Sequence, residues 1–290
     1  MTGQPTLASE VVAGLDPEEY HRHPALSATG AKRILRAPAL YRWAVDNPPA
    51  SSSTFDFGMA AHLRILGAGD PVEVLDFDSW RTKAAQQARD EATAAGRVPL
   101  LVKDWQTVEG MADALKASEL VTQDGVRFSI ADLFTDGTPE QSLFWHDADT
   151  GAHCRARLDW LPAPVEGRRM VIVDYKTATS ADPREFGRAV DSYGYHVQQA
   201  FYLDAVRACG VHPDPAFVFV VQEKEPPYLV TVNQLDSDAA FLGRMLADRA
   251  RRLFVDCLES GVWPGYSNQV NTIALPPWAF TREQEEQQSA

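Results

Sequence analysis

The spacing of apolar residues along the chain changes character near residue 140. Before it, apolar positions recur at helical spacing, separated by a Pro- and Ser-rich loop at 47–54. From residue 140 to about residue 235, short β-branched and aromatic runs predict strands instead. The first predicted helix begins at Ser27 or Thr29. Three further predicted helices cover 55–67, 81–96 and 104–120.

The strand-rich middle of the chain is bounded by turn and capping signals. The runs 140–147 and 153–161 flank an Asp- and Gly-containing turn, and 216–224 and 228–235 flank another turn with two prolines. A helix is predicted from Asp182-Pro183 to about Ala208, with a break near Gly194. A last helix over 237–260 ends at a glycine. The pattern predicts an α/β (α+β) fold with a central mixed β-sheet flanked by helices.

Charged residues end a strand that should be buried. Met170 to Val173 are apolar, but Asp174 and Lys176 follow, and a period of two places them on one face with Tyr175 on the other. In the preceding strand the same period places Cys154, Ala156, Leu158 and Trp160 on one face and Arg155, Arg157 and Asp159 on the other. The common alternative for Asp174 and Lys176 is a salt bridge at a strand end.

Two carboxylates on neighbouring strands repel each other unless a cation lies between them. Asp159 and Asp174 are therefore candidate ligands of a hard divalent ion such as Mg²⁺, which binds carboxylates, waters and substrate phosphate. Lys176 would add a positive charge that orients or deprotonates water or stabilises charge on a phosphate. The three residues together predict metal-dependent phosphodiester chemistry.

Composition narrows the class of protein. The chain has 290 residues and a net charge of −13, which argues against general coating of nucleic acid but permits local basic patches. Its three cysteines form no CxxC pair, which favours a reducing cytoplasm and excludes a zinc ribbon. No apolar run reaches the ~20 residues of a membrane span, and the N-terminus lacks the pattern of a secretory signal. We expect a cytoplasmic protein without membrane association.

Several stretches resemble one nuclease family. "LDW…VDYKT" resembles the second and third motifs of PD-(D/E)XK nucleases, with Leu158 where a proline is usual. "FDFGMAAHLRIL" is similar to the histidine-bearing helix of RecB- and RecE-type nucleases, and "HVQQAFYLDA" to their Gln-xxx-Tyr motif. In order from about Tyr20 to Trp278, the chain resembles the RecE-like exonucleases (exodeoxyribonuclease VIII), often phage or prophage encoded. The resemblance implies a PD-(D/E)XK, restriction-endonuclease-like core.

The resemblance also implies roles for individual residues. The implied metal ligands are His62, Asp159, Asp174 and the backbone carbonyl of Tyr175, for one or two Mg²⁺ or Mn²⁺ ions. The implied catalytic set is Asp159, Asp174, Lys176, Gln198 and Tyr202, the last two positioning DNA or the lysine. Glu140 matches an accessory acidic position near the metal. The basic residues predicted to lie at the cleft and contact DNA are Arg155, Arg157, Arg184 and Arg188, together with Lys176.

The implied function is a Mg²⁺-dependent exonuclease that degrades linear duplex DNA from 5′ to 3′ for recombination. The implied partners are duplex DNA ends, a RecT-like annealing protein, and further copies of the chain in a ring-shaped tetramer. Two alternatives stay open: a structure- or sequence-specific endonuclease of the same fold, and a non-catalytic binding module. We expect residues 1–19 to be a loose tail, and residues 20–290 one domain with a helical insertion at about 68–130.

Overall fold

A six-stranded mixed sheet organises the protein. The computed structural model describes residues 9–47, 53–122, 125–276 and 278. All neighbouring strands of this sheet are antiparallel except β8 and β9, which are parallel. In spatial order its strands are β1 (Glu10–Val12), β6 (Gly137–His146), β7 (His153–Pro162), β8 (Val171–Ala178), β9 (Ala216–Glu223) and β10 (Val230–Asn233). The predicted fold class is confirmed.

Helices cover both faces of the sheet. The elements outside it are α1 (Pro17–Arg22), α2 (Ala28–Arg36), α3 (Pro38–Asp46), α4 (Ser53–Leu66), α5 (Lys83–Ala94), α6 (Val102–Ala117), α7 (Pro183–Tyr193), α8 (Tyr195–Ala208), α9 (Ser237–Ser260), a 3-10 helix (Ile130–Phe134) and four short strands, β2 (Val72–Leu75), β3 (Val98–Leu101), β4 (Glu119–Val121) and β5 (Arg127–Ser129). Among the described residues, no helix combines the length and apolar character needed to cross a bilayer.

The two faces of the sheet have separate apolar cores. Leu158 and Ile172 pack on one face with buried residues of α2, α7, α8 and α9. Val173 and Tyr175 pack on the other face with buried residues of α4, α6 and the 3-10 helix. Because successive residues of a strand point to opposite faces, β8 contributes apolar side chains to both cores, and its charged residues lie on one of the two faces.

A two-helix crossover joins the parallel strands β8 and β9. Asp182 caps α7 by accepting a hydrogen bond from the backbone N–H of Arg184, and Pro183 occupies the first helical position. Gly194, with a left-handed φ of 64°, ends α7 and begins α8. The predicted break near Gly194 is confirmed, and it directs α8 across the face of the sheet where Asp174 lies.

Two expectations about the first half of the chain need correction. Glu10–Val12 is not loose, because it pairs as an edge strand with β6, while residues 1–8 lie outside the described part of the chain. The stretch 68–130 contains α5 and α6 but also four short strands, so it is not purely helical. The predicted loop at 47–54 falls largely outside the described residues, and its last two residues already belong to α4.

Candidate active site

Three side chains from three elements meet at the centre of the sheet. His62 Nδ1 lies 3.9 Å from Asp159 Oδ2 and 4.0 Å from Glu140 Oε1. One ligand atom from each of these residues lies within 4.8 Å of the other two. The side chains are 26%, 13% and 28% exposed for His62, Asp159 and Glu140, so an ion or substrate can reach them from solvent. We call these three residues the donor cluster.

The orientation of His62 is fixed by a hydrogen bond to the neighbouring strand. Its helix, α4, approaches the sheet closely because Ala60 and Ala61 are fully buried against it. Nε2 lies 3.0 Å from the carbonyl oxygen of Tyr175 and must donate to it. This leaves the lone pair of Nδ1 directed at the carboxylates, an arrangement typical of metal-binding histidines. Burial and nearby Lys176 lower the pKa of His62 to about 4, so the ring is neutral at neutral pH.

Glu140 joins the donor cluster because the backbone of β6 is distorted there. Its φ of 50° is left-handed, which costs a non-glycine residue about 1–2 kcal/mol. The ladder with β7 pairs Pro139 with Trp160 and Gln141 with Leu158 but leaves Glu140 and Asp159 out. Arg157 holds the glutamate side chain, with its Nε 3.2 Å from Oε2.

Because of this distortion, the alternation predicted for β7 is wrong at Trp160. Trp160 was expected on the face of Leu158 but packs with Val173 and Tyr175 in the opposite core. The left-handed residue in the partner strand interrupts the regular pleat between the two positions. Sequence periodicity assumes an unbroken pleat, so it could not predict this change of face.

Asp159 connects the donor cluster to β8. Its Oδ2 accepts a hydrogen bond from the backbone N–H of Tyr175 at 2.8 Å. The ladder between β7 and β8 pairs Trp160 with Val173. Close to this pair, the Asp159 carboxylate accepts the hydrogen bond of the Tyr175 backbone N–H. Burial raises the pKa of Asp159, with Lys176 acting in the opposite direction.

A buried ion pair lies beside the donor cluster. Asp174 is fully buried, and its Oδ2 lies 2.6 Å from Lys176 Nζ. The shared face predicted for Asp174 and Lys176 is confirmed, and Tyr175 packs in the opposite core. Burial and Asp159 raise the pKa of Asp174 to about 6. Burial alone would lower the Lys176 pKa, but Asp174 and Asp159 outweigh it, so the pKa is raised and the ammonium stays protonated.

Gln198 and Tyr202 of α8 approach this ion pair. Gln198 Nε2 donates to Asp174 Oδ1 at 2.7 Å, so the glutamine positions the carboxylate rather than the lysine directly. Tyr202, one turn later on α8, packs against the core on this face of the sheet. Burial and then Asp174 raise the pKa of Tyr202 well above its ordinary value, which keeps the phenol neutral.

The donor cluster and its surroundings fit a hard divalent cation. Glu140, Asp159 and Asp174 all have raised pKa values, that of Glu140 reaching about 7 through burial and Asp159. Carboxylates that share a site in this way are short of positive charge. Carboxylate oxygens with one neutral imidazole are a donor set compatible with Mg²⁺ or Mn²⁺.

Two of the predicted metal ligands lie outside the donor cluster. Both oxygens of Asp174 are engaged, one by Lys176 and one by Gln198. The carbonyl of Tyr175 already accepts a hydrogen bond from His62 Nε2. Their roles as ligands therefore stay predictions, whereas Glu140, expected only as an accessory residue, is part of the cluster.

Two of the four arginines predicted to contact DNA face the protein interior. Arg155 is buried and donates to the carbonyls of Tyr20 and His21. Arg157 donates to the carbonyl of Leu15 and pairs with Glu140. Because α1 and its preceding loop cover that face of β7, neither guanidinium lies on the open surface, and contact of this pair with DNA stays a prediction.

The other two predicted DNA contacts lie on the surface. Arg184 and Arg188 are exposed on α7, where Arg188 pairs with Glu185 at 2.6 Å. Their contact with DNA stays a prediction. The sequence pattern did not predict the ion pair between Arg157 and Glu140. The shared face of Arg157 and Asp159 was the feature that indicated an acidic partner for Arg157.

Comparison with known proteins identifies the family and a structure of similar fold. The family described as "PDDEXK-like domain of unknown function (DUF3799)" matches residues 58–276, most of the chain, and the protein therefore belongs to that family. The crystal structure of a "Putative exonuclease" from Eubacterium rectale is similar, with a TM-score of 0.58 and 13% identity over 93% of this chain and 99% of that one. At this identity the likeness concerns the fold. No curated protein matches the sequence significantly.

Proposed function

We propose that this protein is a Mg²⁺-dependent exodeoxyribonuclease that degrades linear duplex DNA from 5′ to 3′ and leaves 3′ single-stranded ends for recombination. Membership of a PDDEXK-like family supports a nuclease, and the fold shared with the Eubacterium rectale protein agrees with it. The observation that carries the proposal is the donor cluster of His62, Glu140 and Asp159 directly beside the Asp174–Lys176 ion pair.

Each residue of the site has a defined task in this reaction. A divalent cation held by the donor cluster would polarise the scissile phosphate and lower the pKa of a bound water. Lys176 is protonated, so it donates a hydrogen bond to a phosphate oxygen and stabilises the charge that develops there. Its raised pKa makes it a poor general base at neutral pH.

Neighbouring residues keep these groups in place. Asp174 and Gln198 form a hydrogen-bonded chain from α8 to Lys176 that fixes the ammonium. Arg157 and the left-handed backbone of Glu140 direct the glutamate toward His62 and Asp159. Positions fixed before substrate binds reduce the reorganisation needed in the transition state.

A cleavage assay on labelled DNA tests the proposal. Linear duplexes labelled at the 5′ or the 3′ end are incubated with and without Mg²⁺, beside covalently closed circular DNA. We expect Mg²⁺-dependent loss of the 5′ label first, with the circle intact. Cleavage of the circle would favour the endonuclease, and binding without cleavage in Mg²⁺ or Mn²⁺ would favour the non-catalytic module.

We further propose that the enzyme acts in the cytoplasm as a ring-shaped tetramer around duplex DNA, with a RecT-like annealing protein as partner. The support is the sequence resemblance and the net charge of −13, which requires basic residues to be concentrated where DNA passes. Exposed Arg184 and Arg188 are available for this. Light scattering that gives a monomer would contradict the ring, and co-purification without an annealing protein would count against the partner.

A further inference from the structure

A second lysine approaches the site from a different part of the chain. Lys32 of α2 places its Nζ 5.8 Å from the ring centroid of Tyr195, and Lys176 places its Nζ 5.2 Å from the same centroid. One tyrosine ring therefore contacts both ammonium groups. More than 140 residues separate the two lysines in sequence, and no motif around Lys32 predicts the contact.

The junction between α7 and α8 is shaped to accept the Lys32 side chain. A Cβ atom at Gly194 would lie 2.7 Å from Lys32 Cδ and 3.0 Å from Cγ, so a larger residue would displace the lysine. Gly194 is also left-handed, a conformation that favours glycine. Helices α2 and α8 pack in the same core, which holds the base of the side chain.

The charge of Lys32 is not balanced within the described part of the chain. No hydrogen bond or ion pair joins its ammonium to any described residue, and the side chain is half-buried. Asp174 stabilises its charge, but both oxygens of that carboxylate already serve Lys176 and Gln198. Burial and then Lys176 lower the pKa of Lys32 to about 8, as expected for a cation that lacks an anionic partner.

We propose that Lys32 binds a backbone phosphate of the DNA strand next to the scissile phosphate, which Lys176 contacts. The inference rests on the proposed nuclease function and adds a substrate-binding residue to it. A lysine ammonium is a compact charge suited to a phosphate oxygen, and an anion between Lys32 and Lys176 would relieve their repulsion. The Tyr195 ring, with its centroid 5.8 Å from the Lys32 ammonium and 5.2 Å from that of Lys176, keeps both cations close enough to act on neighbouring phosphates.

DNA binding in EDTA tests the inference without turnover. The affinity of a fluorescent linear duplex is measured by anisotropy over a range of salt for wild type, Lys32→Gln and Lys32→Arg. We expect Lys32→Gln to weaken binding about tenfold and to lower the slope of log affinity against log salt by ~0.7–0.9, the value for one lost phosphate contact. Lys32→Arg should retain most of the affinity. The matched control is Lys83→Gln, an exposed lysine on α5, which should change affinity less than about twofold.

Stability and kinetics separate substrate binding from a structural role. Lys32→Gln should leave the melting temperature unchanged or raise it, because it removes an uncompensated charge; a structural lysine would lower it. In the cleavage reaction we expect a raised KM with kcat nearly unchanged. If the wild-type protein neither binds nor cleaves DNA, both the proposed function and this inference are wrong. If wild type binds and Lys32→Gln behaves as Lys83→Gln does, the inference alone is wrong.

Discussion

Two clusters of acidic residues in this protein differ in how their charge is balanced. Around Arg251, which is 2% exposed, Asp248 Oδ1 lies 2.8 Å and Asp147 Oδ1 3.4 Å from Nη1, and Asp204 contacts Nη2. This group ties α8, α9 and the β6–β7 turn together, and we call it the Arg251 cluster. The donor cluster instead places its carboxylates around a neutral histidine, and the nearby ammonium of Lys176 is already paired with Asp174.

The difference separates a cluster that stabilises the fold from one suited to a ligand. The aspartates of the Arg251 cluster surround a guanidinium that donates hydrogen bonds to Asp248 and Asp204, so the chain supplies its own cation. In the donor cluster Arg157 pairs with Glu140, but the carboxyl groups still have raised pKa values and the cluster remains partly open to solvent. A site that costs stability in the absence of a ligand is typical of function.

The largest expected effect is on catalysis and comes from the donor cluster. Asp159→Asn should reduce Mg²⁺-dependent cleavage by about 10³-fold, because it removes a charged oxygen from the metal site. Stability should stay unchanged or increase, since one of the mutually repelling carboxylates is neutralised. The measurement is single-turnover cleavage together with thermal melting. Asp191→Asn, an exposed aspartate of α7, is the control, and cleavage by Asp159→Asn at the rate of this control would contradict the assignment.

The opposite pattern is expected for the Arg251 cluster. Arg251→Met should lower the free energy of unfolding by about 1.5–3 kcal/mol, because three partly exposed aspartates lose their common buried cation and its charged hydrogen bonds. Cleavage by the protein that remains folded should be close to normal. Chemical denaturation measures the first quantity. Arg252→Met, an exposed neighbour on α9, should cost little, and equal losses for both variants would show that the Arg251 cluster does not stabilise the fold.

A smaller effect is expected where a residue acts through another. Gln198→Leu removes the hydrogen bond to Asp174 Oδ1 and leaves a buried carboxylate oxygen without a donor. We expect a loss of about 1–3 kcal/mol of stability and about tenfold in cleavage, mainly in kcat. Gln87→Leu, on the exposed surface of α5, controls for the loss of an amide. An unchanged kcat would mean that Gln198 does not position the ion pair.

The smallest effect concerns the arginines that face inward. Arg155→Leu should cost about 1–3 kcal/mol of stability, because the carbonyls of Tyr20 and His21 lose their donor, while DNA affinity stays unchanged. Arg184→Gln should do the reverse, with normal stability and about twofold weaker binding. Melting curves and anisotropy distinguish the two. Weaker DNA binding by folded Arg155→Leu would show that this arginine contacts DNA, as predicted from the sequence.

Much of the sheet and its charged strand was predictable because local signals agree there. The apolar run before Asp174, the cap at Asp182 and the glycine at 194 act within a few residues of each other, and the structure follows them. The edge strand Glu10–Val12 was not predictable, because it is short and depends on pairing with β6, more than 130 residues away.

Parts of the site lay beyond local sequence patterns for the same reason. Glu140 reaches His62 because its backbone is left-handed, and no glycine or other turn residue at this position predicts that conformation. Arg155 is covered by a segment that is far away in sequence. Lys32 meets Lys176 only because α2 and α8 pack together. Periodicity predicts the face of a residue, whereas the partner on that face depends on tertiary packing.

Calorimetric titration with Mn²⁺ measures whether the donor cluster binds a metal ion. Wild type should bind one or two ions per chain, and Asp159→Asn and Glu140→Gln should each weaken binding at least about tenfold. Asp191→Asn should bind as wild type does. Glu140→Gln is the most informative variant, because the structure places this residue in the cluster. Affinity for Mn²⁺ equal to wild type in Glu140→Gln and Asp159→Asn, or no binding by wild type, would show that the donor cluster is not a metal site.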